Sequence, residues 1–503
     1  MPFSSSLRVF DRYSPFTDLQ ALKEASSKPL RKSLRVNTLK SSVEKLKIWA
    51  EERGWKLEQV PWCQEGFFIV LRQAQHDVVE EAFGRDLLHQ LGHTYIQEAA
   101  SMLPATLLDP KPGETILDLC SAPGSKTTQI AAKMQGRGVL IANDIQEKRL
   151  WTLKQALYRS GVTNVIVTKK VGQWFGKQMT ERFDRVLCDA PCTAQGIVRK
   201  DPSALAYSSD QAIQKMATLQ FGLLEAAIHA AKVGGRIVYS TCTLTPEENE
   251  GIVLAMLRKY EGKIEVLDPR MEMDNGKWIM DNATEDSRRI QKFIADKSNY
   301  PLSIINSSFM RLWPQTYDTE GFFSAVLQKT ERTRDPSPKE NFSFQENPVT
   351  GNRLRDTLRT VEGLFGTSFF EEGDCLFERG EYLMLATEEV AKFSLPTENY
   401  SLGLPFAKMV GEGRLRLEHE IAILRGSEAT KNTHELSPEA LGQVLQGDDI
   451  ACPKELKGDV LLRFRDLTIG VGLAKDGVLK NRLPRWFVQQ SGNRSVMVSG
   501  DEP

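Results

Sequence analysis

The chain has 503 residues, 41% hydrophobic and 26% charged, with a net charge of −1. This composition excludes a disordered or collagen-like chain, and the length suggests about three domains. No apolar run reaches the ~20 residues that span a bilayer, and seven thinly spread Cys point to a reducing compartment, so a cytoplasmic protein is expected.

The start, Met1-Pro2-Phe3-Ser4-Ser5-Ser6, lacks the charged and apolar blocks of a signal peptide. Residues 1–40 hold eight Lys/Arg against three acids, residues 361–400 nine acids against two bases, and residues 460–487 six Lys/Arg against Asp466 and Asp476. Two basic ends around an acidic middle can steer a polyanion despite the neutral total, although solvated faces would look the same. From about 115 to 240, short apolar runs alternate with helical patterns. Thr115–Leu119, Val139–Ala142, Val165–Val167, Arg185–Cys188 and Arg236–Tyr239 read as buried strands. Between the last two, Ile213, Met216, Leu223, Leu224, Ala227, Ile228 and Ala231 recur at helical spacing, and Gly234-Gly235 are expected to stop that helix. Repeated βα units imply an α/β fold with a mainly parallel, doubly wound sheet and ligands at the strands' carboxyl ends.

Asp118-Leu119-Cys120-Ser121-Ala122-Pro123-Gly124-Ser125-Lys126 follows the first strand and opens a helix. Its backbone amides can face a carboxylate or phosphate. It is neither G-x-G-x-x-G nor a Walker A loop. Asp144, after the second strand, can accept both hydroxyls of a ribose. The fourth strand runs into Asp189-Ala190-Pro191-Cys192 and the fifth into Ser240-Thr241-Cys242. These strands are neighbours in such a sheet, so both thiols and Asp189 are expected to converge. Either Cys alone reads as a buried structural thiol; two beside a ligand loop read as nucleophilic chemistry. Thr245-Pro246-Glu247-Glu248 reads as a capping box opening a helix next to Cys242, whose positive end would favour a thiolate. No metal is expected: Cys188 and Cys192 lack two further ligands, and the six His form no ligand-spaced set. Thr330 to Pro338 reads as a linker, and Gly470 to Pro484 as a hairpin turning at Asp476-Gly477.

The segments DLCSAPGSKT, DAPC followed by Gly196, and YSTCTLTPEENE resemble the S-adenosylmethionine-dependent RNA cytosine-5 methyltransferases. So do Arg35-Val36-Asn37-Thr38, Tyr95-Ile96-Gln97-Glu98 and the run from Arg311-Leu312-Trp313-Pro314 to Gly321-Phe322-Phe323. With its C-terminal extension, the chain is most similar to the bacterial small-subunit ribosomal RNA subgroup called type F. The resemblance implies a Rossmann-like class I methyltransferase domain, a small N-terminal α/β RNA-binding part and a C-terminal β-rich module similar to a PUA domain. Boundaries are expected at 1–92, 93–330, 331–403 (linker and small acidic domain), 404–490 and 491–503.

By the same resemblance, Cys242 attacks cytosine C6, Cys192 serves release, and Asp189 hydrogen-bonds the N3 edge. S-adenosylmethionine is held by Cys120, Ser121, Ala122, Pro123, Gly124, Ser125, Lys126, Asp144 and Asp189, with Lys126 either on the cofactor carboxylate or supporting the loop. Val171 occupies a position where relatives often carry an acid near the adenine, and Thr193-Ala194-Gln195-Gly196 departs from the usual Ser-Gly-x-Gly. Arg31, Lys32 and Arg35 fall in the RNA-binding part, with a solvated face as the alternative; Lys480, Arg482, Arg485 and Trp486 could meet phosphates and a base. The expected partner is ribosomal RNA, within the small subunit, bound by a monomer with no membrane or metal. Transfer RNA as substrate, a ribosome-assembly factor with a vestigial site, and a DNA methyltransferase are the alternatives, the last disfavoured by Thr241-Cys242.

Overall fold

The computed structural model describes residues 7–70, 86–268, 309–335, 348–411 and 414–491. Residues 1–6, His76, most of 262–300, residues 336–338 of the expected linker and the 492–503 tail lie outside the described residues.

Five strands at the centre of the large sheet run parallel: Ala231–Thr241, Phe183–Asp189, Thr115–Asp118, Val139–Asn143 and Val165–Thr168, in that spatial order. Their apolar runs are covered on both faces, which is why they read as near-continuous Val, Ile and Leu. The first strand in sequence lies in the middle, so the chain changes winding direction beside Thr115–Asp118 and leaves a crevice at the carboxyl ends. Phe322–Lys329 adds antiparallel next to Ala231–Thr241, and Ile264–Leu267 and Phe309–Leu312 pair with it.

The helix Asp210–Ala230 is capped by Ser209, whose hydroxyl accepts from the Ala212 N–H. It ends at Ala230, short of the expected Gly234-Gly235 stop, where the chain passes into the strand from Ala231; the Glu181 and Arg182 N–H groups and the fully buried Lys329 ammonium take up the last carbonyls. Long-range donors stand where a local glycine signal was expected.

The N-terminal sheet orders Lys56–Gln59, Gly66–Val70, Ser33–Val36 and Thr94–Ile96. Its last strand lies beyond the boundary expected at 92, since Leu34 and Val36 need Ile96 and Thr94 as antiparallel partners. The boundary expected at 403/404 also cuts through a sheet: Asp374–Arg379, Tyr382–Thr387, Leu404–Val410 and Arg414–Leu417 form one four-stranded unit. Between its second and third strands, Ser401–Leu402 adds to the exposed edge of Val165–Thr168, with the Tyr400 and Gly403 N–H groups donating to Val167 and Val165 carbonyls at 2.8 and 3.0 Å. The middle segment thus covers an edge strand of the large sheet rather than acting as a spacer.

The last sheet orders Thr433–Glu435, Gly458–Phe464, Leu467–Lys475, Val478–Asn481 and Ile450–Ala451. Its hairpin turns at Asp476 and Gly477, both at positive φ (53° and 82°), as a tight primed turn requires. Its core is continuous with Trp49, Leu87, Leu88 and Leu91 of the N-terminal part. Among the described residues no helix is long and apolar enough to cross a membrane.

Candidate active site

The parallel pairing of the fourth and fifth strands sets Asp189 opposite Ser240. The chain beyond each strand then brings Cys192 Sγ and Cys242 Sγ to 3.2 Å, both free and partly exposed. The loops are locked by close backbone approach. Gly196 N–H donates to the Cys242 carbonyl, and Gly321 N–H donates to the Gly196 carbonyl, each at 2.9 Å. A Cβ at Gly196 would overlap both the Gly321 and Cys242 carbonyl oxygens, so only glycine fits.

The Cys192 thiol is held well above the ordinary cysteine range by its hydrogen bond to Cys242, by burial, and by the negative charge of Cys242 and Glu248. The pair shares one short contact in which either sulfur can donate. Lys126 supplies the positive charge nearby. Burial pulls its ammonium down, but Asp189, Cys242 and Asp118 together outweigh burial and hold it above the ordinary lysine range. Its Nζ lies 2.8 Å from Asp189 Oδ2 and donates to Ser101 Oγ at 2.9 Å, while Ser240 Oγ donates to Asp189 Oδ1 at 2.7 Å. Cys188 and Cys120 are raised by burial first and stay protonated.

A buried polar cradle under the thiols was not legible as such in the sequence. Glu248 accepts from Thr193 N–H at 3.0 Å, Thr245 Oγ1 at 2.8 Å, Gln220 Nε2 at 2.8 Å and the Thr193 hydroxyl. It anchors the residue after Cys192 rather than completing a capping box. The helix expected at Thr245 starts only at Glu250, so the cation beside the thiols is Lys126, not that helix's N-terminus. Arg311 forks onto Glu250 at 2.7 Å and donates to the Leu244 carbonyl at 2.8 Å, both side chains being almost fully buried. Tyr13, from the N-terminal segment, donates to Gln195 in the Cys192 loop. The signal available in the sequence was the acid-rich Glu247-Glu248-Asn249-Glu250 run beside an apolar strand.

On the other side of Lys126, the Cys120–Ser125 turn leads from the first strand into the helix Ser125–Lys133, with Gly124 at φ 110°. Ser121 N–H and Oγ both donate to the Asn143 carbonyl, tying this turn to the second strand. Asp118 accepts from Thr127 Oγ1 at 2.7 Å through Oδ2, while its Oδ1 is buried without a partner. Burial raises this carboxyl to about 7. Asp144 accepts from Gln146 N–H and pairs with Arg149 at 3.3 Å. Arg149 also donates to the Ala122 carbonyl, joining the ribose candidate to the loop. Beside them Ile145 (56% exposed) and Val171 (50%) offer apolar side chains after the second and third strands.

Among the residues expected to meet RNA, Arg35 is a correction. It is 2% exposed and donates to Gln97 Oε1, Thr128 Oγ1 and the Val36 carbonyl, so it joins the N-terminal sheet to the loop helix. Arg31 pairs with Glu58 and stacks over Phe68. Arg482 pairs with Asp459, and Trp486 packs edge-on to His419 and Phe487, whereas Lys480 and Arg485 are exposed. Among the described residues no group of three or more His, Cys, Asp or Glu could hold a metal ion.

A parallel sheet with this winding, a turn-and-helix loop over its first strand and paired thiols at its carboxyl edge define a Rossmann-like methyltransferase, carrying an N-terminal domain and a C-terminal PUA domain. The sequence matches the families described as "16S rRNA methyltransferase RsmB/F" over residues 105–328, "N-terminal domain of 16S rRNA methyltransferase RsmF" over 13–99 and "Methyltransferase RsmF PUA domain" over 431–489. Proteins called ribosomal RNA small subunit methyltransferase F from Psychromonas ingrahamii and Escherichia coli are each 35% identical over 474 residues, covering 92% of both chains. The chain belongs to the ribosomal RNA small subunit methyltransferase F family.

A methyltransferase homologue from Pyrococcus horikoshii shares its structure at 34% identity, TM-score 0.51, covering 63% of this chain and 93% of that one. NSun6 from the same organism, solved with SFG, aligns at TM-score 0.51 and 23% identity over 64% and 98% of the two chains, a likeness of fold. The methyl donor of this class is S-adenosylmethionine, and the pocket residues fit it. The unpartnered Asp118 Oδ1 suits an ammonium, the Asp144 carboxylate suits ribose hydroxyls, and Ile145 and Val171 suit the faces of an adenine.

Proposed function

We propose that this protein methylates C5 of a cytosine in small-subunit ribosomal RNA through a covalent bond between Cys242 and C6. The observation that carries this reading is the 3.2 Å thiol pair beside the Lys126–Asp189 pair. Cytosine C5 is part of an aromatic ring and too weak a nucleophile to take a methyl group directly. Addition of the Cys242 thiolate at C6 breaks that aromaticity and makes C5 enamine-like. Asp189, fixed by Lys126 and Ser240, accepts from the base's 4-amino group and favours protonation of N3 in the adduct, whose N3–H it can then accept. S-adenosylmethionine would supply an electrophilic methyl group when held by Asp118, the 120–125 loop, which Lys126 supports, and Asp144.

Release follows from the same geometry. Once Cys242 is spent in the bond to C6, its hydrogen bond and charge no longer raise the Cys192 thiol, and burial and Glu248 alone still do. With its own proton given to solvent, the Cys192 thiolate takes the C5 proton, and the C5–H electron pair re-forms the C5=C6 bond as Cys242 leaves as a thiolate. The target base must be extruded from any helix to reach Cys242. The PUA domain and the exposed Lys480 and Arg485 are the proposed RNA contacts, phosphate being the dominant source of affinity. The enzyme is read as a monomer acting on ribosomal RNA in the cytoplasm.

Cys192→Ala should give a denaturation-resistant protein–RNA band with small-subunit RNA, and Cys242→Ala in the same chain should remove it. No band with an active substrate would refute the division of labour between the thiols. Bisulfite sequencing of ribosomal and transfer RNA from a deletion strain decides between the two RNA classes: loss of a mark from transfer RNA alone would overturn the ribosomal target.

A further inference from the structure

Glu320 is a buried group that the chemistry above does not use. It is 2% exposed and lies between the short helix Pro314–Tyr317 and the strand Phe322–Lys329. Its backbone N–H donates to Glu98 Oε1 at 3.2 Å, Glu98 Oε2 accepts from Ser101 N–H at 3.1 Å, and Ser101 Oγ accepts from Lys126. One residue on, Gly321 is tied through Gly196 to the Cys242 carbonyl. The segment is thus fixed from one side to Lys126 and from the other to the nucleophile's own backbone. Yet Glu320 Oε1 is buried and has no hydrogen-bond partner among the described residues. A buried carboxyl oxygen left unsatisfied is costly, and in a site built for a ligand the ligand is its natural completion.

We propose that Glu320 is a contact residue for the target base, its free carboxyl oxygen completed by the hydrogen-bonding edge of the extruded pyrimidine. The inference rests on the cytosine reading of this site. Burial raises the Glu320 carboxyl to about 9, the charges of Glu98 and Cys242 push the same way, and the Lys200 charge and a hydrogen bond from the Lys200 backbone N–H pull it down. At neutral pH it is a neutral acid, with one O–H donor and one carbonyl acceptor. That pair complements cytosine, whose N3 accepts and whose 4-amino group donates; uracil presents the reverse pattern. Asp189, ion-paired to Lys126, can only accept. A neutral acid at Glu320 supplies a donor that Asp189 lacks, and no bond is made or broken at Glu320.

The test uses the full-length enzyme and small-subunit RNA carrying, at the target position, cytidine or its pyrimidin-2-one analogue, which lacks the 4-amino group. Wild type should prefer cytidine in kcat/KM, and Glu320→Leu should reduce that preference by about tenfold, the worth of one hydrogen bond. Equal losses on both substrates would show a structural role and overturn the proposal. Glu320→Gln keeps a donor and an acceptor but cannot ionise. It should keep the preference and lack the loss of activity that wild type shows as pH rises through about 9. If Glu320→Leu does not fold, as judged by S-adenosylmethionine binding, this profile decides: an alkaline limb shared by wild type and Glu320→Gln overturns the proposal. The Cys192→Ala adduct is read in parallel. Its absence refutes the cytosine reading itself, whereas an adduct with an unchanged base preference refutes only the role of Glu320.

Discussion

Replacing Lys126 by Met keeps the length and apolar stem of the side chain and deletes one charge. Lys126 Nζ is 2.8 Å from Asp189 Oδ2, with the lysine side chain 11% and the aspartate 26% exposed. At an effective dielectric constant of about 20, two charges at that separation attract by ~6 kcal/mol before desolvation is subtracted. Breaking one side of a buried pair costs about 3–5 kcal/mol, and the partial exposure of Asp189 argues for the low end, ~3 kcal/mol. The variant also removes a cation that interacts with Cys242 and leaves Ser101 without its donor. If that loss is felt in the transition state, kcat/KM falls by on the order of 100-fold. Because Lys126 reaches Asp189 and Ser101, the dissociation constant for S-adenosylmethionine should change by less than about threefold. Tritium transfer into small-subunit RNA gives the first quantity and calorimetry the second. Activity within about threefold of wild type would refute the electrostatic argument. A rise in the cofactor constant matching the loss of activity would instead make Lys126 a ligand of the cofactor carboxylate.

Asp144→Ala removes the carboxylate joined to Arg149 and should weaken cofactor binding by about ten- to hundredfold, the cost of hydrogen bonds to a charged group. Unchanged calorimetry would show that Asp144 serves only Arg149 and the loop. Arg311→Met strands Glu250 in the core and should cost about 3–5 kcal/mol, read as a lower melting temperature and denaturant midpoint. Glu250→Gln in the same chain should recover part of it, and no recovery would count against the pair as the cause. Lys40 carries the pH prediction. Burial first, then Arg159, lowers its ammonium from 10.5 to about 7. The unfolded chain holds that proton more tightly, so unfolding takes up a proton between about pH 7 and 10.5. Its contribution to stability therefore rises with pH across that window, and Lys40→Met should flatten the wild-type slope there by denaturant titration. An unaltered slope would place the pH dependence elsewhere.

The alternation of apolar runs and helical patterns from 115 to 240 determined the parallel sheet, because strands buried on both faces must be continuously apolar and helices must show their own period. Once those strands were in order, the meeting of Cys192 and Cys242 followed, since both lie just past neighbouring strands. The sequence could not decide which groups neutralise one another across hundreds of residues. Arg35 lies in a basic stretch yet is sealed against Gln97 and Thr128; Glu248 looks like a helix cap yet is the buried anchor of the Cys192 loop. Lys329, at the end of a strand, takes up carbonyls at the end of a helix a hundred residues earlier, and Ser401–Leu402 closes the edge of a sheet it does not follow in sequence. Local pattern records which face of an element is apolar. The partner of a buried charge is set by Coulomb attraction and desolvation between segments distant in the chain, and only the tertiary structure brings those segments together.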